Sequence, residues 1–136
     1  MLTLKIHPKN SEQTSAFLGD FEKVTSQSPL ACNERIWDES VAVNLCVFNG
    51  RIHISSIESM HPGKGKASEL LRWITDCADR CGVEIDASIK PFGEGGLSAQ
   101  ALQSWYERYG FEILEGGKIL RQPADRQAKM QVNPSL

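Results

Sequence analysis

Two β-rich runs, Val41–Phe48 and Arg51–Ser59, are separated by nothing but Asn49-Gly50. An Asn-Gly pair tolerates the positive φ that a two-residue hairpin turn demands, so this stretch is committed to an antiparallel hairpin. The segment beyond Ser59 narrows the topology further. After Pro62-Gly63, the positions Ala67, Leu70, Leu71, Ile74, Cys77, Ala78 and Cys81 share one helical face, while Glu69, Arg72, Asp76, Asp79 and Arg80 point elsewhere. Gly82 supplies the left-handed residue that stops such a helix. Val83–Ile89 then alternates apolar with acidic or polar residues, as a strand does. A strand–helix–strand unit from Arg51 to Ile89 implies a parallel pair with a right-handed crossover.

The remaining segments fit around that unit. LTLKIH, ending at Pro8, reads as a short strand, and Phe17, Leu18, Phe21 and Val24 predict a helix over residues 11–25 despite Gly19. Ser26 to Ser40 has little periodicity and reads as a loop, with a helical turn near Trp37. KPFGEGG reads as a flexible loop. Ser98 caps a helix whose apolar face is Leu102, Trp105, Tyr106 and Tyr109, and Gly110 ends it. Phe111–Leu114 and Lys118–Leu120 form a last hairpin around Glu115-Gly116-Gly117. The order implies an α/β fold, a mixed central sheet flanked by helices. Residues 1–122 form one domain, and the polar residues 123–136 read as a disordered tail.

A chain of 136 residues buries about two thirds of the surface its unfolded form exposes, so its core needs no metal or disulfide. Fifteen Lys and Arg against 17 Asp and Glu argue against a sequence-independent grip on nucleic acid. No apolar run is long enough to span a bilayer and the N-terminus lacks a secretory signal, so a cytoplasmic protein with no membrane partner is expected. Four cysteines without C-x-x-C spacing read as free thiols. Cys77 and Cys81 lie one helical turn apart, but the chain has no matching His/Cys pair, so no metal is expected.

The segment HPGKGKASELL lies between a strand and a helix. A glycine-rich turn there aims backbone N–H groups at one spot beside the positive end of the helix dipole, which suits phosphate or pyrophosphate. Lys64 and Lys66 add charge to it, and His61 adjoins it on a surface turn. The spacing is neither that of a P-loop nor G-x-G-x-x-G, so ATP and NAD fit poorly. A plain turn with two solvated lysines is the alternative.

Pro62-Gly63-Lys64-Gly65-Lys66-Ala67-Ser68-Glu69-Leu70-Leu71 resembles the pyrophosphate loop of the GNAT N-acetyltransferases, R/Q-x-x-G-x-G/A. Leu102-Gln103-Ser104-Trp105-Tyr106-Glu107-Arg108-Tyr109-Gly110-Phe111 is similar to that family's downstream L-x-x-F-Y-E-K-x-G-F segment. Both lie in the family's order, within residues 40–121. Two departures stand out: Pro62 where the family has Arg or Gln, and Ala99 where an Asn is common.

The resemblance implies a GNAT-like sheet whose splayed parallel strands hold acetyl-CoA as acyl donor. Gly63, Lys64, Gly65, Lys66, Ala67 and Ser68 would hold the pyrophosphate. The backbone from Ile57 to Ser59 would bind the pantetheine arm and polarise the thioester carbonyl. Tyr106 would be the general acid that protonates the departing thiolate, with Tyr109 and Trp105 as packing. Glu58 is the candidate base, and His53 and Ser55 on the same strand could line the acceptor cleft. The implied function is N-acetyl transfer to a primary amine by direct attack on the thioester, in a monomer or homodimer. The amine could belong to a small molecule, a protein or a nucleic-acid base. Arg121, Arg126 and Lys129 read as a loose basic tail. The alternative is a non-catalytic module of the same fold, for CoA sensing or protein association.

Overall fold

The computed structural model describes residues 8–29, 33–61, 63–88 and 98–124. The expected first strand, the KPFGEGG loop, Pro62 and the tail beyond residue 124, including Arg126 and Lys129, lie outside the described residues. The elements are α1 (Pro8–Val24), β1 (Thr25–Gln27), β2 (Arg35–Trp37), β3 (Val41–Phe48), β4 (Arg51–Ser59), α2 (Lys66–Cys81), β5 (Ile85–Ser88), α3 (Ala99–Glu107), β6 (Glu112–Ile113) and β7 (Lys118–Arg121). Seven strands form one sheet in the order β1-β2-β3-β4-β5-β7-β6. Every pair is antiparallel except β4 with β5, joined through α2.

The β3–β4 hairpin turns at Asn49 (φ 55°) and Gly50 (φ 75°), as the sequence requires. The segment from Ser26 to Ser40 differs from expectation: it holds β1 and β2, paired to each other and, through β2, to β3. The β2–β3 turn carries two consecutive positive φ values at Asp38 and Glu39. Neither residue advertises that conformation as Asn-Gly does, which is why the hairpin reads as a loop.

The helices define the two sides of the sheet. α2 buries Leu70, Leu71, Ile74, Cys77 and Ala78 completely, each of the large aliphatic side chains contributing about 2 kcal/mol of transfer free energy. They meet Val41 and Val43 of β3, Ile52 and Ile54 of β4 and Ile85 and Ala87 of β5 in one core. From α1, Phe17 and Phe21 join through ring contacts with Trp73 at 6.2 Å each. Side chains of alternate parity form the opposite face, where the polar Asn44, Arg51, His53, Glu58 and Asp86 stand among the apolar Ala42, Cys46, Phe48 and Leu120. No helix is long and apolar enough to cross a membrane, among the described residues.

Arg121 is no tail residue. Its buried guanidinium makes a two-pronged pair with Asp79 of α2 at 2.8 and 3.1 Å, and donates to the Tyr109 carbonyl at 2.6 Å. The Ala124 N–H also reaches Asp79, at 2.8 Å, and Pro123 is fully buried, so the chain stays packed past the expected boundary at 122. Burial pulls the Asp79 pKa upward, but the bonds from Arg121 and Ala124 outweigh it and hold the carboxyl below its ordinary value. A depressed folded pKa adds stability above the unfolded value of about 3.9, and this is lost as pH falls through the folded value. Asp79→Asn is expected to cost about 3 kcal/mol at pH 7, because it leaves the Arg121 cation buried without its counter-charge. In urea titrations the difference from the parent protein should shrink below about pH 4.

Candidate functional site

β4 has one residue more than β3 can pair. Asn44 faces Ser56 while Leu45 faces Ile54, so Ser55 is the extra residue of a bulge. Its effect is on direction. Before the bulge, the Ile52 N–H donates across to the Glu84 carbonyl at 2.9 Å, on the β5 side. After it, the Met60 N–H donates to the Ser40 carbonyl at 2.7 Å, on the β3 side. Alternation backward from Met60 turns the N–H groups of Ile57 and Ser59 toward the β5 side.

On that side the described parallel pairing runs over Ile52–Ile85, His53–Asp86 and Ile54–Ala87, and Ser88 pairs Lys118 of β7. The N–H groups of Ile57 and Ser59 thus point to the β5 side, beyond the last described β4–β5 pair.

The glycine turn stands at the end of β4. Gly63 (φ 89°) and Gly65 (φ 74°) both take left-handed conformations, and a Cβ built on either would meet nothing within 4 Å. The turn is therefore open on its outer side, and Gly65 caps α2. Lys64 is exposed. Lys66 is not the free charge that the sequence suggests: its ammonium meets Asp38 at 2.7 Å and Glu69 at 3.5 Å. The Asp38 hydrogen bond and charge raise its pKa.

The glycine-turn segment and the tyrosine segment are brought together by one bond. The Trp105 indole N–H donates to the Ser68 hydroxyl, 37 residues away, at 2.8 Å and so ties α3 to the first turn of α2. Trp105 thus packs half-buried against the core, as expected, and also clamps the two helices, while the Ser68 hydroxyl keeps its own proton to donate elsewhere. α3 itself starts as expected, the Ser98 hydroxyl accepting from the Ala101 N–H at 3.0 Å. Beside Trp105 the Tyr106 ring is wedged between that indole and Phe111, at centroid distances of 4.9 and 5.1 Å. Only 5% of Tyr106 is exposed.

Burial pushes the Tyr106 phenol up to about 12. Transfer from such a phenol to a thiolate, whose thiol has a pKa of about 8.5, would run uphill. The group can instead donate a hydrogen bond to a developing anion while staying protonated at neutral pH.

Glu58 is exposed and pairs with Ala42 on the polar face, whereas Ile57 packs its side chain toward the core. The same polar face carries an arrangement to which the sequence gives little clue. His53 Nδ1 lies 2.6 Å from Asp86 across the parallel pair, and Arg51 reaches Glu84 at 3.1 Å and Asp86 at 3.4 Å. With Nδ1–H donated to Asp86, the neutral imidazole presents Nε2 as an acceptor. His53 sits one residue before the last described β4–β5 pair. Its partner is 33 residues away in sequence, and only the parallel register juxtaposes them. His61 is exposed, its N–H donating to the Ser59 hydroxyl at 3.2 Å, and Tyr109 gives its carbonyl to Arg121.

No family model and no curated protein matches the chain. Among solved structures it is similar to one titled as the crystal structure of anti-CRISPR protein AcrVA5, with a TM-score of 0.53 and 19% sequence identity. The match covers 62% of this chain and 93% of that one. At that identity the likeness concerns the fold.

Proposed function

We propose that the chain is an acetyl-CoA-dependent N-acetyltransferase of GNAT-like architecture, acting on a primary amine. The observation that carries this reading is a juxtaposition: the Ile57 and Ser59 N–H groups are turned to the β5 side just ahead of an open glycine turn, and the Trp105–Ser68 bond ties the helix of Tyr106 to the helix that follows that turn. The turn from Gly63 to Ser68 would receive the diphosphate, with Lys64 adding charge. The Ile57 and Ser59 N–H groups would bind the pantetheine amides and stabilise the carbonyl oxygen as it gains charge. Tyr106 would hydrogen-bond the sulfur as it leaves, lowering the barrier by stabilising the thiolate rather than by completing a proton transfer.

The attacking amine must lose a proton. His53 and Glu58 occupy the same face of the sheet, and of the two it is His53 that a carboxylate, Asp86, orients. We assign the base role to His53 and leave Glu58 to line the acceptor side.

One observation favours the non-catalytic alternative. Asp38 and Glu69 set two carboxylates beside the glycine turn, so an incoming diphosphate competes with Asp38 for Lys66. Calorimetry with acetyl-CoA followed by thiol-release kinetics over an amine panel separates the readings. Binding with turnover supports the enzyme, binding without turnover on any amine supports the sensing module, and absence of binding overturns both.

Gly65→Val is expected to weaken acetyl-CoA binding by about tenfold or more, since a β-branched residue at φ 74° costs about 1–2 kcal/mol and projects into the cradle. Unchanged affinity in a folded variant removes the turn from the site. Tyr106→Phe should lower kcat by roughly 100-fold with acetyl-CoA affinity preserved; an unaltered kcat reduces the ring to packing. His53→Gln should lower kcat by roughly 100-fold with acetyl-CoA affinity preserved; an unaltered kcat removes the base role.

A further inference from the structure

The strongest feature outside that site lies between α1 and α2. Asp20 of α1 and Cys77 and Cys81 of α2 each direct a ligand atom into a group in which all three lie within 4.8 Å of one another. The sequence shows only the two thiols, one helical turn apart; the third member comes from a helix 57 residues distant from Cys77. Tetrahedral zinc has Zn–S near 2.3 Å and Zn–O near 2.0 Å, which sets an S···O edge of about 3.5 Å and an S···S edge of about 3.8 Å. The Cys77 Sγ and Asp20 Oδ2 are already 3.8 Å apart.

We infer that Asp20, Cys77 and Cys81 form a binding site for a thiophilic divalent cation, zinc in the first place, which clips α1 to α2. Two sulfurs and one carboxylate oxygen suit zinc among common cations and disfavour magnesium and calcium, which take all-oxygen shells. Cys77 is fully buried while Asp20 and Cys81 are partly exposed, so a cation can enter from the surface and keep a water in its fourth position. Uptake of one Zn²⁺ forms two Zn–S bonds and one Zn–O bond, and the two S–H bonds give up their protons to solvent.

The test is titration of the reduced full chain with Co²⁺, watched by its thiolate-to-cobalt charge-transfer absorption, then displacement with Zn²⁺. One equivalent per chain is expected, with release of the thiol protons. Cys81→Ser and Asp20→Asn, both at partly exposed positions, should weaken binding by at least about tenfold, while Cys46→Ser, at an exposed thiol elsewhere, should leave it unchanged. Zn²⁺ should raise the thermal midpoint of the parent protein but not of Cys81→Ser. Absence of the absorption band, or a band that survives in Cys81→Ser and vanishes in Cys46→Ser, overturns the site.

Discussion

The mismatch of one residue between β4 and β3 sets up everything around the candidate site. Backbone N–H and C=O groups alternate along a strand, so an unbulged β4 would have kept its even-numbered N–H groups toward β5 along its whole length. Ser55 reverses that phase just beyond the last described pair with β5. The Ile57 and Ser59 donors therefore point to the side from which an unbulged strand would have turned them away. A bulge costs ladder hydrogen bonds, and here it is supported by the longest contact surface in the sheet, eight β3 residues paired along β4.

Two polar contacts then hold the helices in position on the sheet. The Trp105–Ser68 bond fixes the lateral placement of α3 against α2, and the Asp79–Arg121 pair fixes α2 against β7 and the turn after α3. Net contributions of single hydrogen bonds are about 1 kcal/mol, far below those of the apolar core. Their value lies in direction. The core alone would tolerate sliding of one helix past another, whereas an indole N–H and a forked guanidinium admit one arrangement.

Much of this was legible from residues alone. Asn49-Gly50, Gly82, Ser98 and Gly110 mark turns and helix ends through backbone chemistry, and each acts where its local conformation demands. The strands β1 and β2 were not legible, because each spans three residues and their neighbouring turn is made by Asp38 and Glu39, whose left-handed geometry is imposed by the surrounding pairing. The fate of charges was also hidden. Lys66, Arg121 and His53 look alike in a sequence, as solvated polar residues, yet Asp38, Asp79 and Asp86 engage them across 28, 42 and 33 residues. The glycine turn and the tyrosine helix were visible as two motifs, but their contact through Ser68 and Trp105 is a property of the folded chain.

The lopsided sheet has an evolutionary corollary. One side is hydrocarbon pressed against α1 and α2, where a lost methylene leaves a void; the other bears hydrated groups that can be exchanged at little thermodynamic cost. Drift along β3, β4 and β5 should accordingly follow a two-residue rhythm, slow at Val41, Val43, Ile52 and Ile85 and faster at those neighbours that take no part in the proposed site. The rhythm in β4 should skip a beat at Ser55, so a comparison of related chains could locate the bulge from variability alone.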